Sequence, residues 1–304
     1  MRTFKIAFLL TLYGNPKQAN MFINQLIKYE HSYIFIHIDQ KSLHIKDEII
    51  KHPRVIISPN SYMVNWGDYS QIQSINSLLD LANNYDEFDY FSLHSGSDLA
   101  VKPIQEFVEF LITDNKYAYL QCTKLPDKTW QYGGGLGRLA LYWPKCFRKK
   151  YSCYSPMRYL RSLYGKAYGA HLIKGRKLPS NIEFYGRSDW FTLRSDCVEF
   201  ILNYVEQYPE YNKLFENSLI GSEIYFTTLA NMYNDKNQIC NTNNLRYIDF
   251  INIDKRTPGS PKTLTIDDYQ EIKRSSKFFA RKFDMNTDII IMKKFLDESG
   301  VGDE

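Results

Sequence analysis

The sequence has few cysteines and no long apolar run, and both absences limit what the protein can be. Its five cysteines are an odd number and show no Cys-x-x-Cys spacing, which argues against a disulfide framework and against a zinc site. The apolar run from Ile6 to Tyr13 is too short to cross a membrane and lacks a small-residue cleavage site. We therefore interpret this run as the first strand of a globular domain.

Histidine is also scarce. The six histidines are scattered, and none pairs with Ser or Cys in a nucleophile motif, so the sequence gives a covalent mechanism no support. With 44% hydrophobic and 24% charged residues, the chain can bury a full core. The simplest organisation is one domain over residues 1–304 with an elaborated insert at about 124–182.

Apolar runs alternate with helical patterns along the first hundred residues. The predicted strands are 5–13, 33–39, 55–58 and 89–94, and the predicted helices are 17–29 and 69–83. This alternation predicts an α/β fold with a mostly parallel open sheet and helices on both faces. Ligands bind such sheets beyond the carboxyl ends of the strands. Asp39 and Asp98 both lie at those ends.

One carboxylate, Glu223, follows a small-residue turn and opens an apolar helical run in Ser218-Leu-Ile-Gly-Ser-Glu-Ile-Tyr-Phe. A short predicted strand ends in Trp190 and Phe191, so a second element delivers an aromatic ring. The pair suits a pocket in which the ring supports a sugar and the carboxylate deprotonates its hydroxyl. The alternative is that Glu223 only complements a helix dipole.

Seven ordered motifs resemble one family, the core-2/I-branching β-1,6-N-acetylglucosaminyltransferases, which include the peptide O-xylosyltransferases (glycosyltransferase family 14). They are Ile36-His-Ile-Asp-Gln-Lys-Ser, Asn65-Trp-Gly-Asp-Tyr-Ser, Ser95-Gly-Ser-Asp-Leu-Ala-Val-Lys-Pro, Gly186-Arg-Ser-Asp-Trp-Phe, Gly221-Ser-Glu-Ile-Tyr-Phe, Leu245-Arg-Tyr-Ile-Asp-Phe and Phe279-Ala-Arg-Lys-Phe-Asp. The resemblance covers roughly residues 4–290, and the stretch from about 124 to 180 has no family landmark.

The resemblance implies a GT-A type nucleotide-diphospho-sugar fold, a UDP-sugar donor, inversion at the anomeric carbon, Glu223 as the base, and no metal cofactor. Most GT-A enzymes hold Mn²⁺ with Asp-x-Asp after a strand. Gly96-Ser-Asp-Leu-Ala stands at that place and has one acid. A single carboxylate is a poor divalent site, so we expect no metal ligands.

Without a metal, cationic side chains must stabilise the leaving UDP. The resemblance assigns this role to Arg246 and Lys282, with Arg256 as an alternative and Arg281 if the register slips by one residue. The other interpretation is that these are ordinary surface cations.

The remaining assignments divide between donor and acceptor. On the donor side we expect Leu12 and Tyr13 to pass backbone groups beside the nucleotide, Asp39 to bind uracil or ribose, and Trp66 and Asp98 to complete the pocket. On the acceptor side we expect Asp98, Ser188 and Trp190. The alternatives are a turn acid for Asp39, a core lid for Trp66 and a helix cap for Asp98.

The insert is acid-free and basic. No Asp or Glu lies between Lys128 and Ile182, whereas basic residues such as Arg148, Lys149 and Lys150 alternate with tyrosines. Such a stretch suits an anionic membrane face or a phosphorylated glycolipid acceptor, or it is an ordinary insert with packed tyrosines. Gly133-Gly-Gly-Leu-Gly lacks the context of a phosphate loop and is interpreted as a flexible joint of the acceptor site.

The hypothesis is therefore an inverting transferase of GlcNAc or xylose onto a saccharide, in bacterial surface glycan (lipopolysaccharide or capsule) synthesis. Since animal relatives have an anchor and disulfides and this sequence shows neither, we expect a bacterial, cytoplasmic protein, with peripheral contact to the inner membrane face. The alternatives are a non-catalytic saccharide-binding protein and a nucleic-acid-binding protein; the modest net charge of +4 and the absence of a recognition motif argue against nucleic acid.

Overall fold

The computed structural model describes residues 3–233, 238–251 and 259–301. Its strands are β1 (Ile6–Leu12), β2 (Ser32–Ile38), β3 (Val55–Ile57), β4 (Tyr90–Ser95), β5 (Asp98–Ala100), β6 (Ala118–Tyr119), β7 (Thr123–Lys124), β8 (Tyr185–Gly186), β9 (Thr192–Arg194), β10 (Ile239–Cys240), β11 (Arg246–Ile248) and β12 (Phe279–Arg281).

Its helices are α1 (Pro16–Leu26), α2 (Ser70–Asn83), α3 (Ile104–Asp114), α4 (Gln131–Gly134), α5 (Gly137–Ala140), α6 (Pro156–Gly169), α7 (Ser195–Gln207), α8 (Pro209–Phe215), α9 (Ser222–Met232), α10 (Tyr269–Arg274) and α11 (Ile289–Glu298), with 3-10 helices at Gln40–Glu48 and Ile266–Asp268.

The central sheet has seven strands in the order β10-β6-β9-β4-β1-β2-β3. The pairs β1 with β2, β1 with β4, β2 with β3 and β6 with β10 are parallel, and β9 runs antiparallel to both neighbours. The four predicted strands are the four adjacent parallel ones. The mostly parallel sheet expected from the sequence is therefore confirmed.

Helices cover both faces of this sheet, which explains why β1 is almost continuously apolar. Phe8 and Leu10 lie in one core with residues of α1, α3 and α11, whereas Ala7 and Leu9 lie in a second core with residues of α2, α7 and α9. Successive strand residues point to opposite faces, so an all-apolar strand requires a core on each side. The predicted α/β layering is confirmed.

A second, three-stranded sheet, β11-β12-β5, brings distant basic residues to the end of β4. Arg281 is opposite Asp98 across the antiparallel β12–β5 pair, and Ile248 is opposite Arg281 across the parallel β11–β12 pair. This sheet joins the motif that begins at Ser95, which contains β5, to the motif that begins at Phe279, which contains β12.

The predicted strand ending in Trp190 and Phe191 begins later in the structure. Strand β9 starts at Thr192, because Ser188 Oγ accepts a hydrogen bond from the Trp190 backbone N–H at 3.2 Å and holds the preceding residues in a turn. Trp190 is thereby displayed from a turn and not from a pleated strand.

The insert has a small core of its own. Leu141, Trp143 and Leu219 form its buried centre, and tyrosines of α6 pack around it. Across the described part of the chain, no helix combines the length and apolar character needed to cross a membrane.

Candidate active site

Glu223 lies in the first turn of α9, as the sequence predicts. The chain reaches this helix through a tight turn in which a Cβ on Gly221 would lie 2.2 Å from Ser218 Oγ. Only glycine fits that approach. The turn leaves the Glu223 side chain 24% exposed, so the residue is mostly packed but still borders solvent.

The surroundings of Glu223 raise the pKa of its carboxylate. Burial raises its pKa to about 7, the Asp189 carboxylate also raises it, and Arg138 opposes the increase. A carboxylate whose pKa lies near neutral pH accepts a proton much more readily than an ordinary glutamate. Glu223 is therefore able to act as a base.

Arg138 is the cation that faces Glu223. Its Nη1 donates to Glu223 Oε2 at 2.5 Å, and its guanidinium lies 4.2 Å from the centroid of the Trp130 ring. In the sequence, Arg138 is one of the basic residues of the insert and has no assigned role. Its position directly after the glycine run was the available signal.

The glycine run is packed, which corrects the expectation of a flexible joint. Gly135 has φ +91°, and a Cβ there would lie 2.3 Å from the Trp130 ring. The run therefore wraps closely around Trp130, and α5, which follows it, carries Arg138 to Glu223. The insert thus contributes directly to the site.

Asp189 is a site residue that sequence reasoning missed. Its Oδ1 is buried and has no hydrogen-bond partner among the described residues, while Oδ2 accepts from Gln71 Nε2 at 3.3 Å. Burial raises the Asp189 pKa. An unsatisfied buried acceptor costs free energy unless a ligand supplies a donor. Asp189 lies in the motif Gly186-Arg-Ser-Asp-Trp-Phe, but the sequence analysis gives the acceptor-binding role to Ser188 and Trp190.

Those neighbours, Ser188 and Trp190, support the site from one side. Ser188 Oγ accepts from Asn244 Nδ2 at 3.3 Å, which ties this turn to the chain before β11. One face of the Trp190 ring is occupied, since the Arg281 guanidinium carbon lies 3.6 Å from its centroid. Trp190 thus positions an arginine in this structure.

Arg281 is a mostly buried cation at the end of β12, and its partner is the Asp98 carboxylate. Its Nε is 3.7 Å from Asp98 Oδ1, and neither Nε nor Nη1 has a hydrogen-bond partner among the described residues. Lys282 follows it and is partly exposed. The adjacent pair Arg281 and Lys282 therefore offers two cations at the end of β12.

Arg246 does not occupy such a position, which corrects its assignment to the diphosphate. It is buried, and its guanidinium donates to the backbone oxygens of Asn244 at 2.6 Å, Leu93 at 2.5 Å and Phe191 at 3.2 Å. Burial lowers its pKa to about 9. Arg246 therefore joins β4, through the Leu93 carbonyl, to the residue before β9, through the Phe191 carbonyl. Arg256, the alternative, lies outside the described residues.

Asp98 is also fully buried, so it neither contacts a sugar directly nor caps helix α3, the two roles expected from the sequence. It accepts from Ser95 Oγ at 2.8 Å and contacts His94 Nδ1 at 3.3 Å. Burial acts to raise its pKa, but Arg281 and His94 outweigh burial and hold it below the ordinary value. Helix α3 instead begins after Pro103. Asp98 anchors Arg281 from beneath.

The strand ends hold the other predicted donor residues. The Asp39 backbone N–H donates to the Leu12 carbonyl at 2.8 Å, and Tyr13 beyond it is 63% exposed. The Asp39 carboxylate accepts from the Lys41 backbone N–H at 2.9 Å and caps the following 3-10 helix. The structure therefore brings Leu12, Tyr13 and Asp39 together. Asp39 also acts as the turn acid of the alternative interpretation, because it caps the 3-10 helix.

Trp66 lies against the insert. The Arg161 guanidinium carbon is 5.0 Å from the Trp66 ring centroid, and the next residue, Gly67, accepts from the Ile220 backbone N–H at 2.9 Å. These contacts place Trp66 near the turn that precedes Glu223, and its assignment to the nucleotide pocket stays a prediction.

The model of the Core-2/I-Branching enzyme family matches residues 6–273. Similar curated proteins are the Drosophila pseudoobscura xylosyltransferase oxt, 24% identical over 92% of this chain and 32% of its own length, and the rat xylosyltransferase 2, 22% identical over 92% and 32%. The chain spans about a third of the length of these relatives.

Among solved structures, mouse xyloside xylosyltransferase 1 in its apo form shares 12% identity, with 93% of this chain and 99% of that chain covered and a TM-score of 0.38. The family model covers most of the chain, from β1 into α10, and includes Glu223, Asp189 and the β11 strand. The chain belongs to the Core-2/I-Branching enzyme family.

Proposed function

We propose that this protein is an inverting glycosyltransferase that moves xylose or N-acetylglucosamine from a UDP-sugar to a hydroxyl of a saccharide acceptor. The observation that carries the proposal is Glu223, a partly exposed carboxylate whose pKa is raised to about 7 and which is electrostatically coupled to Asp189, whose Oδ1 has no hydrogen-bond partner among the described residues. Family membership and the xylosyltransferase names of its relatives support the same reaction class.

In the proposed reaction, a carboxylate oxygen of Glu223 takes the proton of an acceptor hydroxyl. The hydroxyl oxygen forms a bond to the anomeric carbon while the bond from that carbon to the β-phosphate oxygen breaks, and the electron pair leaves with UDP. Attack opposite to the leaving group inverts the anomeric configuration. A general base of this kind contributes about 10²- to 10⁴-fold.

Cations must stabilise the charge that develops on the diphosphate. Arg281 and Lys282 supply this positive charge, because Nε and Nη1 of Arg281 have no acceptor among the described residues and Lys282 is partly exposed. Asp98 and Trp190 hold the Arg281 guanidinium from two sides. A preorganised cation costs little reorganisation during the reaction.

Asp189 has a separate task. Its Oδ1, which has no hydrogen-bond partner in the described part of the chain, accepts a hydrogen bond from a sugar hydroxyl, and its negative charge acts to raise the pKa of Glu223. The Leu12 to Asp39 strand ends form the nucleotide side of the pocket, in keeping with the general position of ligands in such sheets.

The acceptor is proposed to be a saccharide of a bacterial surface glycan, in lipopolysaccharide or capsule synthesis, handled in the cytoplasm. A donor screen tests the central claim: purified protein is incubated with UDP-xylose, UDP-GlcNAc, UDP-glucose and UDP-galactose, and released UDP is measured with and without a panel of free sugars. Acceptor-dependent UDP release with one donor is expected. Thermal stabilisation by saccharides but not by UDP, without turnover, would instead indicate a non-catalytic sugar-binding protein.

A further inference from the structure

The insert displays an apolar face to solvent. Helix α6 places Tyr159, Leu160 and Leu163 on its outer side, and Leu163 is 65% exposed. Residues three and four positions apart share one helix face. Its inner side is instead occupied by the buried Arg161 and Gly165. The apolar side of this helix therefore points away from the protein.

More aromatic and apolar side chains of the insert are exposed around this helix. They are Tyr142, Tyr154 and Leu172, with exposed fractions of 64%, 83% and 78%. Large exposed patches of this kind mark interaction surfaces. Tyrosine is also suited to the boundary between water and lipid, because it combines an apolar ring with a polar hydroxyl.

The charge of the insert is opposite to that of the rest of the chain. Residues 128–182 hold twelve Lys and Arg and no acid, whereas the rest of the sequence holds 26 basic and 34 acidic residues. Most of the insert arginines are engaged inside the protein: Arg138 pairs with Glu223, Arg148 with Asp68, and Arg161 bonds backbone carbonyls.

The seven lysines of the insert are all exposed: Lys128, Lys145, Lys149, Lys150, Lys166, Lys174 and Lys177. The insert therefore combines outward lysines with an outward apolar helix face. A surface built in this way complements a negatively charged interface with an apolar interior, which is the composition of a membrane leaflet that contains anionic lipid.

We propose that the insert docks the protein on an anionic bilayer, with the outer face of α6 entering the headgroup region and the lysines on the lipid phosphates. A second copy of this chain is a poorer occupant, because two strongly basic inserts would repel each other. A soluble polyanion would bind to the lysines but would have no apolar surface for Leu160 and Leu163 to contact. The proposal does not depend on the chemistry of the active site.

Vesicle sedimentation tests this docking on the full chain. The protein should sediment with vesicles of phosphatidylcholine and phosphatidylglycerol, but not of phosphatidylcholine alone, and added salt should release it. The variant Lys145→Gln/Lys149→Gln/Lys166→Gln should bind roughly 100-fold more weakly, since each basic group near such a surface contributes about fivefold. The control Lys28→Gln/Lys46→Gln/Lys51→Gln removes three exposed lysines elsewhere and should bind normally.

The apolar contribution has its own variant. Leu160→Ser/Leu163→Ser should reduce binding by roughly tenfold or more, whereas Ile112→Ser, at an equally exposed apolar position on α3, should not. Circular dichroism checks that each variant is folded. No sedimentation of the wild type, equal losses in the insert and control variants, or binding that depends on the lysines but not on Leu160 and Leu163 would overturn the proposal.

Discussion

Arg138 Nη1 lies 2.5 Å from Glu223 Oε2, so a cation from the insert faces the carboxylate proposed as the base. Arg138 acts to lower the Glu223 pKa, because a nearby positive charge favours the ionised carboxylate. An acceptor hydroxyl must approach the same carboxylate. The insert therefore contributes a residue to the proposed catalytic site.

Replacing Arg138 by Gln should move the pH dependence of the reaction upward. Glu223 works deprotonated, so activity rises as pH passes its pKa of about 7. Without the cation that pKa increases, and the acidic limb of the kcat/KM profile should shift to higher pH. A profile with an unchanged limb would show that Glu223 is not the group that titrates.

Replacing Asp189 by Asn should move the same limb in the opposite direction. The Asp189 carboxylate acts to raise the Glu223 pKa, so its neutralisation lowers that pKa. Turnover should also fall by about 10²-fold, because the amide presents a donor or a weaker acceptor to the sugar hydroxyl. Profiles of Arg138→Gln and Asp189→Asn that shift in the same direction would contradict this electrostatic account.

Glu223→Gln should keep UDP binding and lose about 10²-fold or more in kcat. UDP affinity is measured by titration calorimetry, and kcat by UDP release with the preferred donor. Glu199→Gln, an exposed glutamate on α7, is the matched control and should be active. Full activity of Glu223→Gln would remove the residue from the role of base.

Substitutions of Arg281 and Arg246 should have different effects: the first should lower kcat/KM and the second should lower the free energy of unfolding. Arg281→Ala should lose kcat/KM by roughly 10²-fold, because a diphosphate cation is missing. It also removes the cation beside the buried Asp98, so its kinetics are measured at a temperature where the variant is fully folded. Arg246→Met leaves the carbonyls of Leu93 and Phe191 without their donor, which should lower the free energy of unfolding by on the order of 3 kcal/mol. Urea unfolding and steady-state kinetics on both variants separate the two roles.

Turnover should be independent of divalent metal. The motivation is that the acid at the expected ligand position, Asp98, is engaged by Ser95, His94 and Arg281. Activity in excess EDTA should equal activity with Mn²⁺ or Mg²⁺ added. Abolition by EDTA with recovery on adding Mn²⁺ would contradict the expectation and direct attention to Asp98 and Asp189.

The sequence by itself determined the layering of the fold and the place of Glu223. Strand β1 is apolar at every position except Thr11, a pattern that indicates a sheet covered on both faces, and the small-residue turn at Gly221 marks the start of α9. Both signals are local, so they can be read from neighbouring residues. Asp39 and Leu12 were likewise found because parallel strand ends meet at one edge.

Tertiary structure alone decided which charged residues face the site. Arg246 and Arg281 are both basic residues in family motifs, but they are engaged differently. Nη2 of Arg246 donates to the carbonyls of Leu93 and Phe191, whereas Nε and Nη1 of Arg281 have no hydrogen-bond partner among the described residues. The pairing of β12 with β5 and the packing of the insert against α9 make that distinction. These contacts join residues far apart in sequence, and burial, which governs the pKa of Glu223 and the role of Asp98, exists only once those segments have packed.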